Sequence, residues 1–128
     1  MIKNLMLLSV IFILTGCSSA DFREKSDLDK IKFGDNTELI TETLGKPSEE
    51  TTENNKIKAA IDKGMDSEFN GLDDTSLAQM QVAIQYLIEG EKLSLFQYKY
   101  KNDSEEVTRN YITFYDNDED FVLAVFDY

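Results

Sequence analysis

The hydrophobic positions of this chain change their spacing twice, and each change marks a boundary. From Leu5 to Leu14 they are continuous, broken only by Ser9. That run is about half of the roughly 20 residues a membrane-spanning helix needs. Residues 18–30 (SSADFREKSDLDK) are polar with few apolar positions and read as a flexible tether without an ordered element, in which Phe22 and Leu28 are the residues able to touch the domain. Fully extended, they span at most roughly 45 Å. A folded domain opens at Ile31-Lys32-Phe33-Gly34. Leu39, Ile40 and Leu44 then give one apolar face to a short helix over 37–44, whose first-turn amides find acceptors at Asp35, Asn36 or Thr37. Gly45 in the left-handed conformation, followed by Pro47, stops it. Residues 48–55 are polar and turn-like. Ile57, Ala60, Ile61 and Met65 recur at helical spacing over 56–69, a pattern weakened by Gly64. A stronger helix covers 75–89, with Leu77, Met80, Ile84, Leu87 and Ile88 in one stripe, Asp74 or Thr75 as cap and Gly90 as stop.

Beyond Gly90 the period falls to two. Residues 93–101, 109–115 and 121–126 read as three strands rich in β-branched and aromatic side chains. The turns between them, 102–106 and 117–119, are too short for anything but antiparallel neighbours. Helices first and strands afterwards is the α+β pattern. The expected fold is therefore N-terminal helices packed on a three-stranded antiparallel β-meander, one domain over 31–128. One face of the sheet packs on the helices, and the other stays wet or meets a partner.

The first sixteen residues read differently. Lys3, the apolar run and the small residues before Cys17 follow the order of a secretory signal peptide. Leu14-Thr15-Gly16-Cys17 resembles the bacterial lipobox. The resemblance implies a diacylglyceryl group in thioether linkage on Cys17, signal-peptidase cleavage between Gly16 and Cys17, and a lipidated tether over 17–30. It implies a place at a bacterial cell membrane or outer membrane, with the domain outside the cytoplasm. Each buried methylene contributes about 0.8 kcal/mol, and two acyl chains anchor stably where one holds only reversibly.

Charge and composition narrow the partners. The chain has 13 basic and 25 acidic residues and no histidine, and Cys17 is its only cysteine. Removing residues 1–16 takes away one charge, that of Lys3, leaving a net −13. Such a surface argues against nucleic acid, whose phosphates need Lys and Arg. It also argues against docking on anionic lipid by charge, which assigns attachment to the acyl chains. With the thiol used by lipid, no disulfide or zinc–thiolate site is available.

Ile31-Lys32-Phe33-Gly34, Thr37-Glu38-Leu39-Ile40 and Leu44-Gly45-Lys46-Pro47 together resemble the opening of the small SmpA/OmlA (BamE-like) lipoproteins, and of the related domain of β-lactamase inhibitor protein. In that pattern Gly34 precedes a helix ending at Leu44, Gly45 and Pro47, and tyrosine-rich strands follow, as Phe96-Gln97-Tyr98-Lys99-Tyr100 and Tyr111-Ile112-Thr113-Phe114 do here. The likeness covers 31–47 and 93–128. Asp35-Asn36 replaces the usual Met-Thr, and the usual strand tryptophan is missing. The resemblance implies an envelope lipoprotein that binds or helps assemble other proteins.

Candidate chemistry is sparse. Asp116, Asp118 and Asp120 alternate as in a calcium loop, but the sixth position is Phe121 where Gly is needed, so a solvated hairpin tip is the better reading and no metal is assigned. Without histidine, a free thiol or a Gly-rich phosphate loop, catalysis has only carboxylates to use. No cofactor is implied and no enzyme activity is expected. Tyr98, Tyr100, Tyr111 and Tyr115 form the candidate protein-binding face, since exposed aromatics favour binding hot spots. Leu-Gly-Lys-Pro itself is expected to be structural. The function expected is a lipid-anchored, non-catalytic binding or assembly accessory that meets another envelope or surface protein. The alternative is an inhibitor of a secreted or surface enzyme.

Overall fold

The computed structural model describes residues 22–67 and 74–128. Leu14, Thr15, Gly16 and Cys17 lie outside the described residues, as does Phe69 at the expected end of the second helix. The elements run α1 (Lys25–Leu28), α2 (Thr37–Leu44), β1 (Glu49–Thr51), α3 (Asn54–Asp66), α4 (Asp74–Ile88), β2 (Leu93–Asn102), β3 (Glu105–Asp116) and β4 (Glu119–Asp127). The class is α+β, as expected, but the antiparallel sheet has four strands in the order β1-β2-β3-β4. The added strand is Glu49–Thr51, expected as turn. Its residues alternate too briefly to show a period, and only pairing with Leu95, Phe96 and Gln97 makes them a strand.

The second correction concerns the faces. Leu93 and Leu95 point to one side of β2, and Phe96, Tyr98 and Tyr100 largely to the other; all are buried. The first side, with Ile112 and Phe126, packs on Ile57, Ile61, Met80 and Ala83 of α3 and α4. The second side, with Val107, Tyr111 and Val122, packs on Leu28, Ile31, Ile40 and Leu44. Helical segments thus cover both faces, and neither is left wet. Between Ile112 and Thr113 the register with β4 shifts at a bulge, which lets Leu123 and Ala124 both join the α3–α4 core.

The third correction is the tether. Residues 22–30 are docked rather than loose. Leu28 has no exposed surface and Tyr111 Oη donates to its carbonyl at 2.6 Å. One buried leucine in a polar run carries too little periodic signal to be read as an element. The stripe expected on α4 also divides: Ser76, Met80 and Ala83 form the buried seam, while Leu77 and Ile88 face solvent.

Gly64 explains why α3 tolerates a poor helix former. A Cβ there would lie 2.5 Å from Phe126 Cδ2 and 2.8 Å from Met80 Sδ. Glycine lets the helix approach the sheet and α4 closely. The far edge of the sheet, on β4, is closed by the chain itself. Val122 N–H donates to Asp35 O and Val122 O accepts from Gly34 N–H; Val125 N–H donates to Gln79 and Val125 O accepts from Ser76. An occupied edge of this kind does not offer itself to a foreign strand.

Candidate functional site

The helix stop at Leu44-Gly45-Lys46-Pro47 is built as a receptor for residues far from it in sequence. Asn36 Oδ1 accepts from Glu38 N–H and caps the start of α2. At the other end Gly45 has φ 75° and ψ −155°, an extended region open essentially to glycine, rather than the left-handed helical region expected. The three successive carbonyls of the stop are all used. Leu44 O accepts from Arg23 Nε at 2.8 Å, Gly45 O from Tyr98 Oη at 2.7 Å, and Lys46 O from Arg23 Nη2 at 2.9 Å. The Arg23 guanidinium also sits 5.7 Å from the centre of the Tyr98 ring. A cation at a helix C-terminus answers the partial negative charge of its free carbonyls. Gly34, with φ 88°, sets the turn whose amide caps Val122. Gly34, Leu44 and Gly45 thus sit at a turn and a helix end that other parts of the chain bind.

Tyr98, Tyr100 and Tyr111, expected on a binding face, are buried to within 2 %. This corrects the candidate face, because the side they share is the one covered by α1 and α2. Their hydroxyls are spent on internal partners: Gly45 O, Asp127 Oδ2 and Leu28 O respectively. Burial pushes the Tyr98 phenol up to about 12, a rise resisted by Arg23. Burial raises Tyr111 further, and at Tyr100 burial is joined by the hydrogen bond to the Asp127 carboxylate.

Beside them lies a feature the sequence reading missed, the buried Arg109. Its Nε and Nη2 both donate to the Asp127 carboxylate, and Nη2 also reaches Asp29 Oδ1 at 3.1 Å. Burial works against the guanidinium charge, but Asp127 outweighs it and the charge is held more firmly than in water. Burial likewise works against the Asp29 carboxylate; the bonds from Lys25 and Arg109 outweigh it and keep it below the usual carboxylate range. The signal was available: Arg109 interrupts a strand of Val107, Tyr111 and Ile112, and an arginine in that setting demands a carboxylate. The network forms the floor of an open cleft of about 760 Å³ that Lys32, Phe33 and Gln79 help to line. Its charged groups are paired with each other, which makes it a lock between α1 and the sheet.

Tyr115 alone of the four tyrosines is exposed, at 56 %. It lies at the opposite end of the sheet from Arg23, beside the turn at Asn117 and Asp118. Both have positive φ, 51° and 68°, as a tight two-residue hairpin requires. The expected solvated hairpin tip is therefore present there. Tyr115 Oη donates to Asp118 Oδ1 at 2.9 Å. Next to it an open cleft of about 850 Å³ runs between Thr52, Asn54, Gly90, Lys92, Tyr115 and Asp120. Ile88, 73 % exposed, ends the helix just before Gly90. An exposed tyrosine, an exposed isoleucine and an acidic hairpin around a cleft make this end the candidate binding surface. Among the described residues no group of three or more His, Cys, Asp or Glu is set to hold a metal ion, and no helix is long and apolar enough to cross a membrane.

Compared with known protein families, curated proteins and solved structures, the chain finds no match.

Proposed function

We propose that this protein is a lipid-anchored, non-catalytic binding or assembly accessory of a bacterial envelope, with its domain outside the cytoplasm. The observation that carries the reading is Leu14-Thr15-Gly16-Cys17 closing an apolar run behind Lys3. Composition supports it. The chain has no histidine, and its one cysteine is the residue the lipid would take. The buried polar side chains add support, since Tyr98, Tyr100, Tyr111, Arg109 and Asp127 are engaged in holding the fold. Among the described residues, the Tyr115 end offers exposed apolar and acidic side chains beside a cleft for such an encounter. The resemblance of the Leu-Gly-Lys-Pro segment to envelope assembly lipoproteins points the same way. Anchoring in the membrane raises the local concentration of the domain toward membrane-bound partners without any added contact.

A second reading is favoured by the protruding acidic hairpin at Asn117-Asp118 beside its cleft: an inhibitor that places this hairpin against a secreted or surface enzyme. A photo-crosslinker at Tyr115 in the lipidated protein separates the two. Capture of a membrane-complex subunit supports the accessory, and capture of a single hydrolase with loss of its activity supports the inhibitor. Turnover of a cell-wall or glycan substrate by the purified protein contradicts both.

A further inference from the structure

Resting on the lipid-anchor reading, the docked arm decides which end of the domain meets the bilayer. Arg23 N–H donates to Lys99 O at 2.7 Å, and the Phe22 ring lies 4.8 Å from Lys101 Nζ. Both contacts fall on the last part of β2, beside the Asp103-Ser104 turn that joins β2 to β3. Cys17 is five residue steps before Phe22, at most about 18 Å however the chain runs. A tether loose as far as residue 30 would reach more than twice as far. The other hairpin turn, at Asn117-Asp118, is separated from Asp103-Ser104 by the full length of β3, or about 40 Å. It therefore lies well beyond the reach of the anchor.

Charge is divided along the same axis. Near the arm, Arg23, Lys25, Lys30, Lys46, Lys99 and Lys101 nearly offset Glu24, Asp27, Asp29, Glu50, Asp103, Glu105 and Glu106. At the far end Glu53, Glu89, Glu91, Asp116, Asp118, Glu119 and Asp120 outnumber Lys56 and Lys92. A bilayer carrying anionic lipid repels the far end over a Debye length of about 10 Å, and is indifferent to the near one. The arm resists swivelling, because Arg23 holds the α2 stop through two carbonyls and Leu28 is sealed under Tyr111.

We infer that residues 22–30 act as a clasp that holds the domain end-on to the membrane containing Cys17. The β2–β3 turn sits at the headgroups, and the acidic end with Tyr115 and Ile88 is turned away from them toward a partner.

The test uses the full lipidated protein, in which lipidated Cys17 leaves an introduced cysteine as the one labelling site. Ser104→Cys and Glu119→Cys each carry a fluorescent donor, in phosphatidylethanolamine–phosphatidylglycerol vesicles with an acceptor on the headgroups. Energy transfer from position 104 is expected to exceed that from 119 severalfold, and Arg23→Ala is expected to shrink the difference. Intact mass of the same sample shows whether Cys17 carries lipid, so a failed anchor is distinguished from a failed orientation. With lipid present, equal transfer from the two positions, stronger transfer from 119, or a difference untouched by Arg23→Ala overturns the inference.

Discussion

Replacing Gly64 with alanine sets two effects of opposite sign against each other. Ala in a helix interior is favoured over Gly by about 0.5–1 kcal/mol, so on an exposed helix face the change would stabilise. Here the new methyl group would stand 2.5 Å from Phe126 Cδ2 and 2.8 Å from both Phe126 Cε2 and Met80 Sδ. Carbon contacts are comfortable at about 3.5–4.0 Å, so the ring must retreat by roughly 1 Å. It has little room to do so. Phe126 is 1 % exposed, its strand is paired with β3 at Asn110, and it packs in the α3–α4 core. Overpacking of this kind costs about 1–3 kcal/mol, which exceeds the propensity gain. The net expectation is a loss of about 1–2 kcal/mol, or roughly 4–8 °C in Tm for each kcal/mol in a domain of this size. Thermal and urea unfolding of a chain lacking residues 1–17, followed by circular dichroism, measures it. Phe126→Leu supplies the internal check, because contacting residues couple and the penalty of Gly64→Ala should shrink in that background. A Gly64→Ala protein as stable as the parent, or more so, would refute the close packing of α3 on the sheet.

Other expectations concern the polar interior. Asp127→Asn leaves buried Arg109 short of its main counter-charge and should cost about 3–5 kcal/mol, whereas Asp29→Asn, at a half-exposed pair, should cost no more than about 1 kcal/mol; urea midpoints of the two variants give the comparison. Asp29 has its carboxyl lowered in the fold from 3.8, so its contribution is present above that pH and disappears as the pH falls through the lower folded value. Asp29→Asn should accordingly flatten the acid limb of the stability curve. At the alkaline end the sign reverses: Tyr98 is raised from 10.0 to about 12, and Tyr100 and Tyr111 are raised too, so stability is intact below pH 10 and falls as the pH rises through the folded values. Phenolate absorbance should show these three tyrosines resisting ionisation until the protein unfolds, and free titration of all tyrosines near pH 10 would contradict their burial. Tyr115→Ala, at an exposed position, should change stability by less than about 0.5 kcal/mol while weakening any partner captured at that end.

What the sequence made legible, and what it hid, follows the reach of each interaction. Local signals carried. The start and stop of α2 were readable from Asn36, Gly45 and Pro47 because capping is decided within a turn of the helix. Strands β2 to β4 were readable from alternation, and the Asn117-Asp118 hairpin from its composition. Non-local features escaped. Glu49–Thr51 is a strand only through β2, and Leu28, readable as a contact with the domain, becomes fully buried core only because Tyr111 and α2 close over it. The alternation of β2 also misled: Gln97 and Lys99 follow Leu95 on one side and make that side look wet, yet α3 still covers its apolar half. Tyr98, Tyr100 and Tyr111 were singled out by chemistry, but whether a tyrosine faces a partner or the core depends on what the rest of the chain lays over it. Arg23 looked like one charge among many in a polar run, and its role emerges only with the carbonyls of Leu44 and Lys46 in view.

The claim on which the functional reading stands is the modification of Cys17, and the most direct measurement is the intact mass of the mature protein recovered from bacterial membranes, alongside Cys17→Ala. The expected result is a chain that begins at Cys17 and carries a diacylglyceryl group, with neither processing at that site nor lipid in the variant. A membrane-recovered chain that keeps Gly16 and carries no lipid, or a variant lipidated like the parent, would contradict it.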